Sequence, residues 1–216
     1  LDEILDCSDG ISIVTPTTSH FKIAKRCIEK DCHVLIEKPI TENIGEARSL
    51  VDLAQKHNKI IQVGHIERFN PAFSSLINNN VAPLFVESHR LSPFNIRGTD
   101  VDVILDLMIH DIDILLSLVK SDVVEIRASG MAVLSKKIDT ANARIEFRNG
   151  CVANITASRI AQKKLRKFRF FEKNSYTTID FLNPSIEKYT LTNKKPTNQS
   201  YLVINNLGEK YILYEK

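Results

Sequence analysis

Three short apolar runs, Ile11–Val14, Cys32–Ile36 and Lys59–Val63, alternate with two stretches of helical periodicity, and this alternation limits the fold more than any other feature of the chain. The first helical stretch is capped by Ser19 or Thr18 and runs to about Lys30, with Phe21, Ala24, Cys27 and Ile28 on one face. The second opens at Thr41 or Asn43 and runs to His57, with Ile44, Ala47, Leu50, Val51 and Ala54 turned inward. Leu1–Cys7 reads as the end of an earlier helix, closed by the turn residues Ser8-Asp9-Gly10. The β-α-β-α-β order predicts a parallel sheet with right-handed crossovers.

Ligands of such sheets bind outside the carboxyl ends of the strands. The loops Thr15–His20, Glu37–Pro39 and His65–Asn70 leave from those ends, so they share one edge. Lys38 is the sharpest residue among them, because Pro39 fixes the backbone and removes a donor directly after the charge.

After Pro71 the pattern changes. A short helix and an Asn78-Asn79-Asn80 turn lead to a strand at Leu84–Leu91, and the loop Ser92–Asp100 feeds a long apolar helix, Val101–Val119. From Val123 onward the pattern is antiparallel. Ala141, Ala143, Ile145 and Phe147 alternate with polar residues, Arg148-Asn149-Gly150 turns the chain, and Cys151, Ala153, Ile155 and Ala157 alternate back. Further strands are expected at Lys167–Glu172, Tyr176–Phe181, Glu187–Leu191, Tyr201–Ile204 and Lys210–Tyr214. The expected organisation is α/β followed by α+β: a parallel-sheet part over residues 1–70, then a mainly antiparallel domain over residues 71–216 around a buried helix.

That helix is apolar almost all round, so it should be buried. Asp102, Asp106, His110 and Asp113 interrupt it at spacings of four, four and three, which gathers them into one polar stripe. Ionisable groups there are costly unless paired. A satisfied core His–Asp pair is one reading; a carboxylate-positioned general base working near neutral pH is the other. Two ligands one turn apart are too few for a metal site, so no metal is expected.

The net charge of +3 is too mild to imply a nucleic-acid or membrane partner. The stretch Lys163–Arg169 is basic with interleaved phenylalanines and reads first as a solvated strand face, with anion contact in a substrate site or nucleic-acid contact as alternatives. No apolar run approaches the roughly 18 residues of a membrane span, and no signal-peptide pattern opens the chain. Cys7, Cys27, Cys32 and Cys151 form no CxxC pair, so reduced thiols in a cytoplasmic protein are expected.

A Thr-Pro loop ending in His20, Glu-Lys-Pro after the next strand, and an Asp-x-x-x-His helix before an antiparallel sheet together resemble the glucose–fructose oxidoreductase / inositol dehydrogenase / MocA (Gfo/Idh/MocA) family. The resemblance runs from about Ile11 to the final hairpin and implies a Rossmann-type parallel sheet, an NAD or NADP cofactor and oxidation of a sugar hydroxyl. It implies catalytic roles for Lys38, Asp106 and His110, with Asp113 behind them. Thr15, Pro16, His20, Glu37, Lys38 and Arg68 would lie against the cofactor, and Lys38, Phe69, Asn70 and His110 against the substrate. The runs Gly64–Pro71 and Leu105–Asp113 are most similar to members acting on nucleotide-activated amino sugars such as UDP-N-acetylglucosamine. The resemblance further implies a homo-oligomer formed through the antiparallel sheet.

The family's glycine-rich phosphate turn has no counterpart here, since the seven glycines never fall as GxG. The resemblance therefore implies that roughly 90 residues of a nucleotide-binding half-domain precede this stretch, and that a closing helix and strand follow it. The rival reading is a non-catalytic binding or regulatory relative of the same fold.

Overall fold

The computed structural model describes residues 2–76, 81–95, 101–192, 200–204 and 210–215. The expected Asn78–Asn80 turn lies outside them. The chain divides into two compact units, Leu1–Ile66 and Glu67–Lys216.

In the first unit a short helix α1 (Asp2–Leu5) precedes β1 (Gly10–Ile13), α2 (Thr17–Glu29), β2 (His33–Ile36), α3 (Ile44–Lys56) and β3 (Ile61–Val63). The strands form a parallel sheet in the order β1-β2-β3. Its core is Ile13, Val34 and Ile36 from the strands against Ala24, Cys27, Ile28, Leu50 and Ala54 from the helices.

Two details of the helices differ from the periodicity reading. Pro16, not Thr18 or Ser19, stands at the N-cap of α2, and the Ser19 hydroxyl bonds Thr15 Oγ1 and the Pro16 carbonyl instead. Asn43 does cap α3, accepting the Glu46 amide at 2.9 Å. However, Ile44 (71% exposed) and Val51 (44% exposed) face outward. The buried stripe of α3 is carried by Leu50 and Ala54, a four-residue spacing narrower than the five apolar positions suggested.

The second unit opens with a 3₁₀ turn continuing through Phe69 and a short helix α4 (Pro71–Ser74). Strand β4 (Phe85–Leu91) follows, then a π turn (Ile104–Met108) that runs directly into α5 (Ile109–Leu118). Eight strands come next: β5 (Val123–Met131), β6 (Thr140–Phe147), β7 (Val152–Ser158), β8 (Leu165–Glu172), β9 (Ser175–Asp180), β10 (Ser185–Thr192), β11 (Ser200–Ile204) and β12 (Lys210–Glu215). With β4 they form a sheet in the order β11-β12-β10-β9-β8-β4-β7-β6-β5. Its pairings are antiparallel except β4 with β7, which is parallel.

The turn between β6 and β7 uses Gly150 at φ +86°, a backbone conformation that L side chains rarely adopt. The alternation read there is realised on both strands: Ala141, Ala143, Ile145 and Phe147, with Cys151, Ala153, Ile155 and Ala157, all pack into the core. Burial pushes the Cys151 thiol up to about 11. The basic stretch enters β8 at Leu165, after Lys163 and Lys164, and Phe168 and Phe170 of that strand are core residues.

The inward parity of β4 is Val86, Ser88 and Arg90. Arg90 is 1% exposed, and its Nε donates to Asp111 Oδ2 at 2.6 Å while Nη1 donates to Glu67 Oε1 at 3.0 Å. The Ser88 hydroxyl adds a bond to Asp111 Oδ1 at 2.8 Å. Burial works against the guanidinium charge, but the two carboxylates outweigh it and raise its pKa above the ordinary value. This cluster ties the 3₁₀ turn to α5 inside the second unit, which begins at Glu67.

Removing one partner of a buried ion pair typically costs about 3–5 kcal/mol, because the other charge is stranded. Arg90→Met should lower stability to urea by that amount, read from the shift in unfolding midpoint. A loss below about 1 kcal/mol would mean that the carboxylates find other partners.

Candidate functional site

In the first unit, the residues singled out lie at the carboxyl ends of β1 and β2. Thr15 and Pro16 are exposed, while Glu37 and Lys38 are half-buried beside a buried Pro39. His20 is 1% exposed, and its ring joins the two loops: Nδ1 lies 2.9 Å from the Pro39 carbonyl and Nε2 lies 2.8 Å from the Thr15 carbonyl. Both nitrogens are thus engaged with backbone, so His20 shapes this edge and does not present a ring nitrogen to a ligand. Glu37 packs on Gly64, where an added Cβ would come within 3.1 Å of Glu37 Oε1. Glycine at that position lets the end of β3 lie close against the Glu37 side chain.

These residues fit the ribose and nicotinamide side of a dinucleotide. They offer an exposed hydroxyl at Thr15, a carboxylate for sugar hydroxyls at Glu37 and a cation at Lys38. The diphosphate side needs a glycine-rich turn, which this sequence does not contain.

In the second unit, Asp106 lies in the π turn and His110 in the first turn of α5. The π turn is defined by the Ile109 amide, which reaches back to the carbonyl of Ile104. Such turns are rare and concentrate at functional sites. Both side chains are half-buried, and Nδ1 of His110 is buried. Helical periodicity alone could not reveal this turn, because the expectation of a uniform helix assumes one phase throughout. The helix is also less enclosed than its composition suggests, with Leu116 49% exposed.

Asp113 holds Arg68 in a two-point ion pair, Nε to Oδ2 at 2.7 Å and Nη2 to Oδ1 at 2.6 Å. Hydrogen bonding to Asp113 raises the Arg68 pKa above the ordinary value. The Arg68 fork is therefore committed to the helix that carries His110. Asn70 is also committed: Oδ1 accepts the Ala72 amide at 3.1 Å, capping α4, and Nδ2 donates to the Phe181 carbonyl at 3.3 Å. Phe69 is 80% exposed, so its ring is open to contact.

The periodicity reading passed over Asp111, Arg90 and Glu67, which fix α5 to β4 and to the 3₁₀ turn. The available signal was Arg90 on the inward parity of a strand, a position that requires carboxylate partners. Among the described residues, no group of three His, Cys, Asp or Glu side chains could hold a metal ion. No helix among them is long and apolar enough to cross a membrane.

Comparison with known proteins gives two family matches: the oxidoreductase family with an NAD-binding Rossmann fold over residues 1–65, and the GFO/IDH/MocA C-terminal domain over residues 83–174. A UDP-N-acetylglucosamine 3-dehydrogenase from Acidithiobacillus ferrooxidans is 41% identical over 190 residues, covering 88% of this chain and 61% of that enzyme. A solved structure of that enzyme superposes with a TM-score of 0.83, covering 88% of this chain and 63% of that one. The scyllo-inositol 2-dehydrogenase (NAD(+)) of Bacillus subtilis is 25% identical over 166 residues, 70% of this chain and 48% of that enzyme. An inositol dehydrogenase homologue from Azotobacter vinelandii, solved with NADH and myo-inositol, shares the fold at a TM-score of 0.78 and 16% identity, covering 90% of this chain and 57% of that one. The chain thus spans about three-fifths of the length of the A. ferrooxidans relative. With one family match on each side of the residue 66 boundary and a relative matching across it, the chain carries both domains of the Gfo/Idh/MocA family of oxidoreductases.

Proposed function

We propose that the protein oxidises a secondary hydroxyl of a sugar, specifically a nucleotide-activated amino sugar of the UDP-N-acetylglucosamine kind, with NAD or NADP as the oxidant. The observation that carries the reading is the match, across both units, to a UDP-N-acetylglucosamine 3-dehydrogenase. The presence of Lys38, Asp106 and His110 in one chain supports chemistry over mere ligand binding. The cysteines described are all free thiols, in keeping with work in a reducing cytoplasm.

A nicotinamide, when bound, supplies the acceptor for the hydride leaving the carbinol carbon. The chain's own residues handle the proton and the charge. His110 takes the hydroxyl proton; since Nδ1 is buried, the accepting atom is Nε2. Asp106, four residues earlier, favours the imidazolium that results. Lys38 stabilises negative charge as it develops on the substrate oxygen. Thr15, Pro16 and Glu37 hold the cofactor's ribose side, and His20 keeps their loops together through the Thr15 and Pro39 carbonyls. Phe69 packs against substrate, while Arg68 and Asn70 act from behind, through Asp113 and the cap of α4.

The same reading includes a homo-oligomer formed through the face of the nine-stranded sheet opposite its core. That face carries a row of half-buried rings across four neighbouring strands, Phe85, Phe171, Tyr176 and Tyr189, with centroids 5.9, 5.6 and 4.7 Å apart.

General-base help contributes roughly 100- to 10,000-fold. In the intact protein, His110→Asn should lower turnover within that range while leaving the cofactor dissociation constant nearly unchanged; normal turnover would remove His110 from the chemistry. Lys38→Met should be worse, because charge and orientation go together. With a panel of nucleotide sugars and free polyols followed by nicotinamide absorbance, turnover of free polyols alone would sink the nucleotide-sugar assignment, and no turnover of any sugar would favour a binding protein. Phe171→Asp should lower the sedimenting mass towards the monomer, and an unchanged mass would place the contact elsewhere.

A further inference from the structure

The loop from β5 to β6 wraps the carboxylate of Asp139. Asp139 is 0% exposed. Its Oδ2 accepts the backbone amides of Val133, Leu134 and Ser135 at 2.8, 2.7 and 2.9 Å. Its Oδ1 accepts the Ser135 hydroxyl at 2.7 Å and Arg159 Nε at 2.9 Å. Burial opposes the charge, but the Ser135 hydroxyl and the three amides outweigh it and hold the carboxyl well below the usual carboxylate range. The group is a fixed anion with its acceptor sites filled.

This assembly reaches the entry of the helix by three separate bonds. Arg159, 4% exposed, donates from Nη1 to the Val101 carbonyl at 2.8 Å. Asp102 Oδ1 accepts the Ile138 amide at 2.9 Å, and the Val103 amide donates back to the Ile138 carbonyl at 2.9 Å. Residues 101–103 are thereby pinned immediately before the π turn of Ile104–Met108. A π turn is a rare hydrogen-bonding pattern that an unconstrained helix would not be expected to adopt. Its phase, and with it the direction of Asp106 relative to His110, depends on where the preceding residues are held.

We infer that Asp139, Arg159 and Asp102 are positioning residues for the Asp106–His110 pair, acting by fixing the start of the π turn. The inference rests on the reading of His110 as the base, but its structural half can be tested without it. Arg159 is suited to the task because its planar fork reaches Asp139 and the Val101 carbonyl at once, which a lysine cannot do.

Two variants test the clamp. Asp139→Asn removes the anion, and Asp102→Ala, at a half-buried site, removes only the acceptor for the Ile138 amide and guards against a folding failure in the first. Amide hydrogen exchange should quicken across residues 101–110 in both, with β6 and β7 still protected. Unchanged exchange in 101–110, or an equal rise throughout β6 and β7, overturns the inference.

Misplacement of a reacting group by about 1 Å costs about 100-fold. In the intact protein, turnover should fall by that order in Asp139→Asn with the cofactor dissociation constant unchanged. The loss should vanish when His110 is already Asn, because both changes then act on one group. An equal fall in both backgrounds overturns the positioning role. Normal turnover in His110→Asn alone would instead remove the reading of His110 and leave the exchange result standing as evidence for the clamp.

Discussion

The second unit depends on Arg90. A guanidinium at 1% exposure is tolerable only if every face of it is answered, and here two carboxylates from different segments answer it. Glu67 comes from the 3₁₀ turn, Asp111 from α5, and Arg90 itself from the centre of the sheet. One charge therefore joins three elements that are far apart in the chain. The second ion pair, Arg68 with Asp113, repeats the join one residue further along the turn and two further along the helix. The residues flanking His110 are thus held by charge, where a purely apolar contact would permit rotation of the helix about its axis.

Much of this architecture could be read from the residues. The βαβ order, the inward alternation of Ala141–Phe147 and Cys151–Ala157, and the glycine at the intervening turn are local patterns with local causes, and the structure has them where expected. The Asp106–His110 spacing was equally visible. Long-range pairing was not. Nothing in the stretch Phe85–Leu91 announces that it lies parallel to β7, because register between distant strands is set by the whole core. The partners of Arg68 and Asn70 were hidden for the same reason: a short polar side chain beside a proline can face a ligand or cap the next helix, and only the folded backbone decides.

His20 illustrates how a residue can matter to a site without meeting a ligand. Its two contacts with backbone carbonyls hold the Thr15 and Pro39 loops at a fixed separation. Its place in the sequence puts it at the carboxyl-end edge of the sheet, beside the neighbours that carry the exposed polar groups.

The π turn carries a consequence of a different kind. It holds one more residue than the α turn it replaces, so the helix upstream and downstream of Met108 is out of phase by about 100°, one residue's rotation. Within Ile104–Met108 the length of the segment is then under stronger constraint than the identity of its apolar members. Exchanging one aliphatic side chain for another leaves that phase intact, whereas deleting one residue there would restore a regular helix and turn the residues before the deletion by about 100° relative to those after it.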